Sequence, residues 1–167
     1  MIQPPDRHFL LAAQGWIELG NLSEASLELE RISPEFRNHP DVLELRWQIH
    51  AQAKHWEQCV EIATALIQAA PTQPMGWIHR SYALHELRRT TEARDGLQSI
   101  LKIFPDELTI PYNLACYECT LGNEAKAKEW LGKVFATDQA AQWKAMALQD
   151  PDLKPLWPFI TALGMSR

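Results

Sequence analysis

The chain has 167 residues, is 46% hydrophobic and 22% charged, and carries a net charge of −5, the balance of an ordinary globular domain rather than a disordered one. The acidic excess leaves no basic stripe for a phosphate backbone, so nucleic acid is excluded as a partner, and no apolar run is long enough to cross a bilayer. Asp6, Arg7 and His8 interrupt the N-terminus where a signal peptide needs an apolar stretch, and three cysteines do not suggest a secreted disulfide framework; a cytoplasmic location is expected.

In chain order, the first unit (6–39) reads as two helices broken at Gly20-Asn21, where glycine suits a left-handed C-terminal cap and asparagine a side-chain cap for the next helix. Its second helix should stop near Ser33, before Pro34, leaving 35–39 as an irregular link. The second unit (40–73) is the least regular. Trp47 stands at a phase that holds small residues elsewhere, Ala63 at one that holds large residues, and the pair reads as a compensating exchange of volume. In the third (74–107), Met75–Leu87 has Trp77, Leu84 and Leu87 on one side, and Glu92–Phe104 has Ala93, Leu97, Ile100 and Leu101. The short polar link Arg88-Arg89-Thr90 makes these helices antiparallel neighbours. The fourth (108–138) has Pro111 in a helix's first turn and breaks at Gly122-Asn123. Beyond it, a tail (139–167) predicts a helix over 140–148, a start at Asp150-Pro151, and helical spacing of Leu153, Leu156, Trp157 and Ile160. The tail is expected to cap the repeats; the alternative is a tail lying in a groove, its own or that of a second copy.

These units share one period. Ala25, Cys59, Ala93 and Ala127 are each 34 residues apart. The same spacing relates Leu29, Ala63, Leu97 and Leu131; Ile32, Leu66, Ile100 and Val134; Ala13, Trp47, Ser81 and Ala115; and Leu19, Ala53, Leu87 and Leu121. Small residues at a fixed phase let two antiparallel helices cross closely, where a larger side chain would separate them. The pattern resembles the tetratricopeptide repeat, most clearly at Trp77, Ser81, Leu84, Ala93, Leu97 and Pro105, and again from Tyr112 to Leu131. The resemblance implies an all-α fold: a single right-handed superhelical solenoid of antiparallel helix pairs, about ten helices in all.

Catalytic chemistry finds little support. Cys116 and Cys119 form a C-x-x-C pair, but inside a predicted helix and without a second ligand pair; only His79 and His85 offer conceivable company. No phosphate loop, nucleophile elbow or metal-spaced histidine motif is present, so neither an enzyme nor a bound cofactor or metal is expected.

The resemblance implies that the first helices of the units line a groove for a peptide or protein segment. By phase, its lining is Leu10, Gln14, Ile17, Glu44, Gln48, Met75, Ile78, His79, Tyr82, His85, Tyr112, Asn113 and Cys116, with Arg7, Asp41, Ala51 and Cys119 beside them. The lysine–arginine–asparagine clamp by which some family members hold a C-terminal carboxylate is absent: Leu10, Gln14, Leu45, Met75 and His79 stand at those places. A protein-binding adaptor is therefore the leading expectation. The alternatives are a dedicated chaperone similar to the small helical-repeat chaperones of bacterial secretion systems, and a self-assembling unit joined through its tail.

Overall fold

The structure, a computed structural model, describes residues 2–163. Among them are ten α-helices: α1 Asp6–Glu18, α2 Leu22–Glu30, α3 Pro40–Gln52, α4 Trp56–Ala69, α5 Met75–Glu86, α6 Thr90–Ile100, α7 Thr109–Thr120, α8 Glu124–Phe135, α9 Ala140–Ala147 and α10 Trp157–Ala162. Two 3₁₀ turns, Pro34–Phe36 and Pro151–Leu156, complete the regular structure. The described chain contains no strand, and no helix in it is long and apolar enough to cross a membrane. It divides into two compact units, Met1–Leu87 and Arg88–Arg167, so the third sequence repeat contributes α5 to the first and α6 to the second.

Consecutive helices pair within each unit, α1 with α2, α3 with α4 and α7 with α8. Small residues of one column lie on the second helices of these pairs, Ala25, Cys59 and Ala127, and all three are fully buried; Ala93 on α6 is nearly so. The columns of larger residues on the same helices are buried beside them, Leu29 and Ile32 on α2 and its end, Leu131 and Val134 on α8. Trp47 and Ala63 share one buried cluster with Cys59 and Ala83, so the wide indole of α3 meets a narrow position on α4.

The column Leu19, Ala53, Leu87 and Leu121 is the C-cap position of the first helix in all four repeats. The residues that follow, Gly20, Lys54, Arg88 and Gly122, all have positive φ (75°, 57°, 63° and 81°), the left-handed conformation that ends a helix. After it, the amides of Asn21, His55 and Asn123 return to the carbonyls of Trp16, His50 and Glu118 at 2.8 Å each, which closes the cap. The two asparagines then differ. Asn21 accepts from the Glu24 amide as an N-cap should, whereas the Asn123 amide group donates instead to the Glu118 carboxylate at 2.6 Å.

Two helix ends depart from expectation. α2 stops at Glu30, three residues before Ser33, and α6 stops at Ile100 rather than at Phe104. Ser33, immediately before Pro34, is extended (ψ 141°), as proline favours in the residue ahead of it. Pro155 and Pro158 likewise divide the expected tail helix into a 3₁₀ turn and the short α10.

Candidate functional site

In the first unit, the expected groove residues separate by burial. Ile17 belongs to the core cluster of α1, α2 and α3, and Leu10 packs against it. Ile78 and His85 on α5 are also buried, at 7% and 6% exposure. Ile17, Ile78 and His85 are thus taken up in packing, while Leu10 stays half-buried. Gln14 is exposed and donates to Glu18 one helical turn later.

Glu44, Gln48, His79, Met75 and Tyr82 remain, and four of the five meet in one arrangement. The imidazole Nε2 of His79 on α5 lies 2.8 and 3.0 Å from the two carboxylate oxygens of Glu44 on α3. Gln48, one turn along α3, donates to the same carboxylate at 3.3 Å. Burial pushes the Glu44 carboxyl up, but the His79 hydrogen bond, the His79 charge and the Gln48 amide outweigh it and hold the group below its ordinary value. The His79 ring is stacked on Trp47 with centroids 3.7 Å apart. Tyr82 meets the edges of both Trp47, at 6.3 Å, and Trp56, at 5.7 Å. Trp47 is 9% exposed, while Tyr82 and Met75 are 41% exposed each. The result is an apolar, partly aromatic surface carried on a base of stacked rings and one imidazole–carboxylate hydrogen bond. Trp56, at the first position of α4, was missed by phase because it lies on a second helix; only its helix-start position after the short Lys54-His55 break hinted at it.

In the second unit, the expected groove residues are covered. Tyr112 and Cys116 on α7 are each 4% exposed. The Tyr112 hydroxyl donates to Asp150 Oδ2 at 2.9 Å, the Cys116 thiol reaches the same oxygen at 3.4 Å, and the Tyr112 ring lies 5.1 Å from that of Trp143. Leu153 and Leu156 of the tail are buried, and their 3₁₀ turn packs on α7. The face of α7 offered to a ligand by the resemblance is thus occupied by the chain's own tail, and of the three residues only Asn113 is partly exposed. Burial first, and then the Asp150 and Asp152 charges, push the Cys116 thiol well above its ordinary value. Burial alone pushes Cys59 up to about 11. Neither resembles an activated nucleophile. No group of three or more His, Cys, Asp or Glu side chains among the described residues could hold a metal ion.

No family model matches the chain, and no curated protein does. Solved structures do. A structure described as a MamA RS-1 double mutant is similar to it with a TM-score of 0.69 at 14% identity, over 81% of this chain and 76% of that one. MamA MSR-1 matches with a TM-score of 0.65 at 19% identity, over 80% and 76%. MamA AMB-1 gives 0.63 at 19%, over 78% and 72%. At such identities the likeness concerns the fold, and together with the ten helices it shows an all-α architecture of tetratricopeptide type.

Proposed function

We propose that this chain is a protein-binding module that captures an apolar-anchored segment of another polypeptide on the Met75–Tyr82 face of α5. The observation that carries this reading is the exposure of Tyr82 above Trp47 and Trp56, with His79 clamped between Trp47 and Glu44. A tyrosine held by neighbouring rings loses little freedom on binding and offers a large contact area, the character of an interface anchor. The absence of activated thiols and of catalytic spacing favours binding over turnover. An adaptor is preferred to a tail-joined assembly, because Leu153, Leu156 and Ile160 are already buried in the second unit. A photo-crosslinking residue at position 82 should trap a protein partner that the same residue at the exposed position 27 does not; equal trapping at both would remove the assignment of this face.

A further inference from the structure

The charge of the chain is not shared evenly. Of its 21 acidic and 16 basic residues, 11 acidic and 6 basic lie in Met1–Leu87, so the first unit carries the whole net charge of −5. The second unit, with 10 of each, carries none. Part of that excess follows α3, where Asp41, Glu44 and Gln48 fall three and four residues apart and form one stripe of the helix. The hydrogen bonds of Glu44 to His79 tie this stripe to α5, which carries the exposed Met75 and Tyr82. The side chains of Asp41 and Glu44 are 64% and 30% exposed. Among the described residues Glu44 is bonded to an imidazole and a neutral amide, and no lysine or arginine pairs with it. Its carboxyl is held below its ordinary value, so it keeps its negative charge at neutral pH. Arg7 of α1 lines a hollow beside Asp41 without forming an ion pair there, which leaves Glu44 as the carboxylate joined to the aromatic base.

We infer that the segment captured on the Met75–Tyr82 face is basic as well as apolar. An apolar side chain of the segment seats against Met75 and Tyr82. A neighbouring lysine or arginine lays its stem on the Tyr82 ring and turns its charged head toward Glu44 and Asp41. An acidic segment would meet like charge along α3, and a neutral one would cover Glu44 without supplying a cation. The inference rests on the protein-binding reading of this face and adds the chemistry of its partner.

Selection of an unbiased library of displayed peptides against the full chain, followed by calorimetry on synthetic copies of the enriched peptides, tests it. Peptides that lose about tenfold or more in affinity with Tyr82→Ala are those seated on this face. They should carry a net positive charge, with lysine or arginine next to an apolar residue. Replacing those basic residues by glutamine should weaken binding about tenfold, and so should raising the salt from about 50 to about 300 mM. The double change Glu44→Gln with Asp41→Asn should weaken the basic peptide about tenfold and leave its glutamine-substituted copy unchanged. Glu24→Gln, which removes one charge from α2 instead, should cost either peptide less than about twofold. Should the double variant not fold, Asp41→Lys at its exposed position should by itself weaken the basic peptide about tenfold. The inference is overturned, with the protein-binding reading left standing, if the Tyr82-dependent peptides are neutral or acidic. It is equally overturned if the basic peptide binds the variants at Glu44 and Asp41 as tightly as the unaltered chain, or loses as much with Glu24→Gln. If no enriched peptide depends on Tyr82, both readings fall.

Discussion

The indole of Trp47 lies flat on the imidazole of His79, 3.7 Å between centroids and 5° between planes, and so joins α3 to α5 at the foot of the candidate interaction surface. The Trp47 ring is nearly buried, yet its Nε1 has no hydrogen-bond partner. Packing, rather than hydrogen bonding, is therefore its contribution. Trp47→Ala should lose about 3–5 kcal/mol in denaturant unfolding, while Trp47→Phe, which keeps a ring and removes the unpartnered N–H, should lose less than about 1.5 kcal/mol.

Two groups with shifted titration contribute to the acid side of the stability profile. Burial first, and then the His55 and Arg46 charges, hold His50 below its ordinary value of 6.5, so the folded chain keeps it neutral while the unfolded chain protonates. Stability is then full above pH 6.5 and declines as pH falls through that value. Glu44, held below 4.5, contributes stability present above 4.5 that is lost as pH falls through its lower folded value. Chemical denaturation across pH should show both declines, with His50→Gln removing the first and Glu44→Gln the second.

The left-handed residues after the first helices make a prediction of opposite sign at equivalent positions. Lys54 and Arg88 adopt the conformation that Gly20 and Gly122 adopt without steric cost. Lys54→Gly and Arg88→Gly should each stabilise by about 0.5–1 kcal/mol, and Gly20→Ala should destabilise by about 1–2 kcal/mol, read from unfolding midpoints.

Gly76 and Gly132 are both helical but differ in what surrounds them. A Cβ on Gly76 would stand 2.9 Å from the backbone nitrogen of Ile67 on α4, whereas one on Gly132 meets nothing within 4 Å. Gly132→Ala should therefore gain about 1 kcal/mol of helix propensity, and Gly76→Ala should lose about 1 kcal/mol or more because α4 and α5 must separate. Thermal unfolding of the two variants distinguishes them.

Much of the fold was legible because a 34-residue period repeats the same steric demands. Ala25 and Cys59 had to be small for their helices to cross, and the caps at Gly20 and Gly122 announced themselves by residue type. The caps at Lys54 and Arg88 did not, since the conformation there is imposed by its place in the repeat and opposes the residue's own preference. The surface was less legible. Phase offered Ile17, Ile78 and His85 as groove lining, but those side chains are buried against neighbouring helices. Tyr112 and Cys116 were offered as ligand contacts because no spacing rule announces that Asp150, 38 and 34 residues later, returns to them.

The central claim is that Tyr82 anchors a protein ligand. A peptide selected from a displayed library against the full chain should bind saturably, and its affinity should fall about tenfold or more in Tyr82→Ala while remaining unchanged in Leu27→Ala, with both variants folded by circular dichroism. Equal affinity for Tyr82→Ala and the unaltered chain would contradict the account.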